Sequence, residues 1–235
     1  MNQRMEQILN DFENNKLNAD DSFKFHCTQC GKCCINRDDI LLSPQDLFRI
    51  AKKLGLTPMD TVNQYCEAYI GNDSRIPVVR IRPKGSIRRC PFLKDRKCSV
   101  HEAKPAVCAM FPIGRAVGCS KDPDSEMSTI PKLEYFFTDP GCGDNTETHT
   151  LKEWFHDFGL SLEDDYFIRW ALFQMELHDF LADIEKQVDE SLMKTLWNSV
   201  FIQLYLDYDI KKEFLPQFDA HVEKMHLFLQ SISSE

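Results

Sequence analysis

The sequence predicts an α+β protein: a mostly helical, cysteine-rich module with a few short strands, followed by a C-terminal helical bundle. Two asymmetries along the chain predict this. All ten cysteines of the 235 residues fall within 1–142, and all three tryptophans (Trp154, Trp170, Trp197) come later. Apolar residues recur at helical spacing through the second part, whereas the first breaks into short pieces punctuated by Pro, Gly and Cys. The expected organisation is a polar arm over 1–22, a cysteine-cluster domain over 23–160 and a helical extension over 161–235.

Charge and hydropathy narrow the function classes. A net charge of −9 and a pI near 5.3 argue against a general nucleic-acid binder. No apolar run is long enough to span a bilayer, and Met1–Asn15 lacks the basic start and apolar centre of a signal peptide. The expected compartment is therefore the cytoplasm, with no membrane partner. In a reducing compartment ten cysteines read as metal ligands or redox centres rather than disulfides.

Taken in order, residues 1–22 read as a short frayed helix or disordered arm. Asp38–Leu42 reads as extended. Ser43-Pro44-Gln45-Asp46 is a helix start, with a cap, a proline at the first position and an acid in the first turn. Leu47, Ile50, Ala51 and Leu54 form its apolar face and Gly55 ends it. Thr57-Pro58 starts a second helix with Val62, Tyr65, Cys66 and Tyr69 on one face, which makes Cys66 a buried core thiol. Ile76–Arg82 and Lys132–Thr138 read as strands. Thr150-Leu151-Lys152-Glu153 is a capping box opening a helix to about Phe158. Residues 164–190 form the longest helix, with Trp170, Phe173 and Leu177 on its stripe, and 191–207 and 216–231 form two more.

The stretch Cys27-Thr-Gln-Cys30-Gly-Lys-Cys33-Cys34 organises the first part. Cys-x2-Cys spacing lets sulfurs converge on one centre around a tight turn, and Gly31 sits where such a turn calls for positive φ. Cys33 and Cys34 are adjacent, so in an extended segment their sulfurs point to opposite sides. At most one of them then shares a centre with both Cys27 and Cys30. Cys90, Cys98, Cys108 and the glycine-flanked Cys142 supply a second set. Cys119 reads as lying in a polar turn without a near partner. The candidate metal ligands are thus Cys27, Cys30, Cys33, Cys34, Cys90, Cys98, Cys108 and Cys142. They suffice for two four-thiolate sites, or for one site with spare thiols. Cys-x2-Cys-x2-Cys leans toward a 4Fe–4S cluster, because three ligands at that spacing wrap one cube, but separated pairs keep Zn2+ open. His101 could serve either metal, and a lone histidine is more often structural.

From Arg75 to Lys97 the chain carries nine Lys/Arg and one acid, Asp95. The plain reading is a solvated face. The sharper one is that this island offsets the charge of a thiolate-bound centre or binds an anionic partner.

These motifs resemble the YkgJ-type cysteine-cluster family, a family of zinc- or iron-chelating domains. The matching pieces are Cys27-x2-Cys30-Gly31-x-Cys33-Cys34, Ser43-Pro44-x-Asp46-Leu47, Cys90-Pro91-Phe92-Leu93, Cys98 with Pro105-x2-Cys108, Phe111-Pro112 and Gly141-Cys142-Gly143. The family often has tyrosine where this chain has His101, and arginine where it has Lys104. A flagellin lysine methylase resembles the family in its cysteine pattern and is associated with an iron–sulfur cluster, so the resemblance carries protein methylation as one activity. The sequence itself has no G-x-G-x-x-G turn of the kind a Rossmann-type methyltransferase needs. The expected function is binding an iron–sulfur cluster, with an electron-transfer or redox-dependent role and a protein redox partner that the sequence does not identify. The alternative is a zinc-binding structural or interaction module.

Overall fold

The computed structural model describes residues 12–35, 40–121 and 129–233. Residues 1–11 of the expected arm, and Asp38 and Asp39 of the expected extended piece, lie outside them. The chain mixes helix and sheet. In order its elements are β1 (Lys16–Leu17), β2 (Ser22–His26), β3 (Leu41–Leu42), α1 (Pro44–Leu54), α2 (Pro58–Tyr65), β4 (Cys66–Ile70), β5 (Pro77–Ile81), β6 (Leu93–Lys94), β7 (Lys97–Cys98), α3 (Ala106–Met110), β8 (Ile113–Lys121), β9 (Thr129–Phe137), β10 (Asp144–Thr150), α4 (Leu151–Asp157), α5 (Asp165–Ile184), α6 (Glu190–Phe201) and α7 (Phe214–Ser233). Among the described residues, no helix is long and apolar enough to cross a membrane.

The chain divides into two compact units, each built from two separate stretches. Unit 1 comprises residues 1–33 and 106–168. Its β2 reads Ser-Phe-Lys-Phe-His, and the period of two buries Phe23 and Phe25 while Ser22 and Lys24 face out. Those rings join Met110, Ile113, Tyr135, Leu151, Trp154 and Phe155 in one core, each such side chain contributing about 1.5–3 kcal/mol on burial. The Trp154 indole N–H, which burial would otherwise orphan, donates to the Met110 carbonyl at 3.0 Å. Around this core β1, β9 and β8 form one antiparallel sheet, and β2 and β10 form another.

Unit 2 comprises residues 34–105 and 169–235. The Ser43 hydroxyl accepts the Asp46 N–H and the Asp46 carboxylate accepts the Ser43 N–H, closing the capping box that opens α1. Gly55 ends α1 in the left-handed region at φ 67°, as its position after the last apolar residue predicts. Leu47, Ile50 and Ala51 are buried on the α1 face. Strands β3, β5 and β4 form an antiparallel sheet with β5 central. In this unit Trp170 of α5 meets Tyr205 and Phe218 with ring centroids 6.1 and 6.4 Å apart, so α5, the π-helical turn after α6 and α7 share one aromatic core.

Several elements differ from the sequence expectation, among them Lys16–Leu17 of the expected arm, which is strand β1 paired with β9. Helix α2 stops at Tyr65, and Cys66–Ile70 is strand β4, paired with β5 from Cys66↔Ile81 to Ile70↔Pro77. The buried Val78 and Val79 offer a backbone edge there, and satisfying its hydrogen bonds outweighs the helical spacing of Tyr65, Cys66 and Tyr69. Tyr69 is consequently exposed. Helix α5 ends at Ile184, and a second cap at Asp189, which accepts the Ser191 and Leu192 N–H groups, starts α6. Cys119 lies on β8 opposite Pro131, within a strand and not in a turn.

Candidate metal centre

Strand pairing explains how distant cysteines reach the first cluster in unit 1. Asp144 of β10 pairs with His26 of β2. Cys27 follows His26 directly, and Cys142 precedes Asp144 by two residues, so both leave the same end of this ribbon. Gly141 and Gly143 turn the chain there with φ 57° and 72°. Gly143 is also a close approach: a β-carbon on it would lie 2.4 Å from the His26 carbonyl oxygen. Gly31 has φ 76° in the Cys30–Cys33 turn.

Four thiols gather at this end. Cys27 is exposed, and Cys30, Cys33 and Cys142 are half-buried. Burial pushes the Cys142 thiol up to about 11, and the negative charge that Cys30, Cys33 and Cys27 would carry adds to the rise. Cys30 behaves oppositely. The backbone N–H of Lys32, with further donation from the Gly143 N–H and the Thr28 hydroxyl, holds its thiol below the usual range. Two backbone amides aimed at one sulfur favour thiolate, and the crowding of four potential thiolates is relieved when a cation lies among them. Cys108 lies on α3 of the same unit, half-buried.

Unit 2 holds the other candidates. The boundary between units falls between Cys33 and Cys34. The Cys34 carbonyl accepts the Cys90 N–H at 2.8 Å, the Cys90 carbonyl accepts the Leu93 N–H at 3.1 Å, and Leu93 pairs with Cys98 across the β6–β7 hairpin. Cys34, Cys90 and Cys98 are thus tied through backbone contacts. Cys66, 2% exposed, belongs to the core of this unit. Burial raises its thiol to about 12, Arg82 opposes the rise and Cys90 adds to it. His101 is exposed on the short turn His101–Ala103. Its pKa is lowered, first by desolvation and then by Lys104. Among the described residues, no group of three or more His, Cys, Asp or Glu side chains converges closely enough to hold a metal ion as the side chains stand.

A polar group beside Cys27 and Cys142 was not expected from the sequence. His26 Nδ1 lies 3.2 Å from Asp144 and its Nε2 3.6 Å from Glu147, which also faces His149 at 3.5 Å. Strand β10, Asp-Asn-Thr-Glu-Thr-His-Thr, carries no apolar residue, so it gave no strand signal.

Residues 26–133 match a family model described as "Putative zinc- or iron-chelating domain", a cysteine-cluster family named for the Cys-x2-Cys-x2-Cys-Cys motif. An uncharacterized protein of Methanocaldococcus jannaschii is 26% identical over 105 residues, covering 43% of this chain and 52% of that protein. The chain thus spans about half the length of this relative. No solved structure matches.

Proposed function

Because residues 26–133 carry a domain of the cysteine-cluster, zinc- or iron-chelating family, we propose that the protein holds an iron–sulfur cluster of 4Fe–4S form and serves electron transfer or a redox-dependent role. The observation that carries this reading is the placement of Cys27 and Cys142 at one end of the β2–β10 ribbon, with Cys27, Cys30 and Cys33 each acting on the Cys142 thiol. These four would hold the cluster. Cys34, Cys90 and Cys98 of unit 2 would serve any second centre there, and Cys108 is a further candidate within unit 1. When bound, such a cluster supplies one-electron transfer. The chain's own contribution is local. The Lys32 and Gly143 amides donate to the Cys30 sulfur, and hydrogen bonds of this kind raise the reduction potential of a thiolate-ligated centre. The second reading is a structural Zn2+ site, favoured by the same four-thiol set, since zinc accepts four thiolates equally well.

The test is the iron, zinc and acid-labile sulfide content of protein purified without oxygen. Iron and sulfide at about four each per chain support one cubane cluster. Zinc without sulfide removes the redox reading and leaves the structural one.

A further inference from the structure

The basic island of the sequence divides into two parts. Arg75, Arg80 and Arg82 bond to more distant groups of unit 2. Arg75 Nε donates to Glu185 at 2.8 Å, Arg80 to Glu67 at 2.7 Å and Arg82 to the Asn63 carbonyl at 2.8 Å. The others, some of them also bonded locally, lie on two successive turns. The first is closed by the Lys84↔Arg89 bridge, the second by the β6–β7 pairing Lys94↔Lys97. Arg89 reaches from the first turn to the Leu93 carbonyl at the base of the second, so the two form one surface. Arg88, Arg89, Lys94, Arg96 and Lys97 are all exposed on it. Asp95 is its single acid.

Two features set this surface apart from an ordinary solvated face. Arg88 (φ 48°) and Arg96 (φ 63°) occupy the left-handed region, which disfavours long side chains, beside Asp95 (φ 47°), a residue type that visits it more readily. Glycine or asparagine would fit those turns at less cost. At the tip of the first turn Ile87 is 56% exposed, an apolar residue followed in sequence by Arg88 and Arg89, and apolar residues mark the core of protein-binding patches.

We propose that these two turns of unit 2 form a docking surface for an acidic protein segment, with the arginines and lysines meeting carboxylates and Ile87 packing against the segment's apolar atoms. A nucleic acid fits less well. The two turns expose no aromatic ring for base stacking, since Phe92 is 2% exposed. A long polyanion would also run beyond the patch into the field of a chain with net charge −9.

The experiment uses the full chain and fluorescence anisotropy with labelled poly-glutamate, and with labelled oligothymidylate of similar length for comparison. The double variant Arg88→Gly, Arg96→Gly removes two charges while placing glycine where φ is positive, so its folding is kept or improved. Poly-glutamate should bind the native chain at low salt and bind this variant about tenfold or more weakly. The charge-matched control Lys211→Gln, Lys212→Gln, at another exposed site of unit 2, should bind as the native chain does. Equal binding by native chain and glycine variant overturns the proposal, as does equal loss in the control. Tighter binding of oligothymidylate than of poly-glutamate overturns it in favour of a nucleic-acid surface.

Discussion

At Gly143 a side chain has nowhere to go. The β-carbon would sit 2.4 Å from a backbone carbonyl oxygen, and the residue's φ of 72° is one that L side chains rarely adopt. The same residue's N–H donates to the Cys30 sulfur. Gly143→Ala therefore combines strain with a displaced donor, and it should destabilise the chain by roughly 1–3 kcal/mol. Because the amide moves away from Cys30, the thiol pKa read by pH-dependent alkylation should rise relative to the native chain. Destabilisation with an unchanged Cys30 pKa would separate the strain from the amide's role at the sulfur. The cysteines themselves were visible from the sequence, and so was the positive φ expected at Gly31. The amide donors were not, because a backbone N–H has no sequence signature and only strand register brings Gly143 to Cys30.

Among elements, the legible ones announce their own ends. Helices α1 and α4 begin at Ser43 and Thr150, where hydroxyl and carboxylate reciprocate backbone bonds, and such chemistry is local enough to be read three residues at a time. Strand β10 is polar throughout, and β4 follows a helical pattern of apolar residues. Both exist because a partner strand satisfies their amides, information that resides elsewhere in the chain. Strand β9 gives a test of how its end of unit 1 is held. The Tyr135 hydroxyl donates to the Leu162 carbonyl at 2.7 Å. Burial raises its pKa from 10.0 to about 12, with Arg115 opposing. A phenol whose folded pKa lies above its unfolded one contributes stability that is complete below pH 10 and lost as pH rises toward 12. Tyr135→Phe should cost about 1 kcal/mol at neutral pH. It should also flatten the alkaline fall in the urea midpoint between those pH values; an undiminished fall in the variant would assign that slope to other groups, Cys66 among them.

On the scale of the whole molecule, the candidate ligands are shared between two units that each draw on both halves of the sequence. Cys33 and Cys34, neighbours in the chain, fall on either side of the boundary. Both lie on the short 3-10 helix Lys32–Cys34, where successive side chains are turned by about 120° around the axis, so a Cys-Cys pair is a compact means of committing one thiol to each of two sets. If each unit carries its own centre, ligand substitutions act separately. Cys142→Ser should remove the metal of unit 1 and leave that of unit 2, and Cys98→Ser should do the reverse, with the double variant losing both. Because bound metal stabilises the folded state by mass action, each single variant should also lower the thermal midpoint in its own step, and a chelator should produce no further shift only in the double variant. Metal analysis beside thermal unfolding reads both quantities on the same samples. Complete metal loss in Cys142→Ser with full retention in Cys98→Ser would instead mean one centre, in unit 1, with Cys34, Cys90 and Cys98 serving the packing of unit 2.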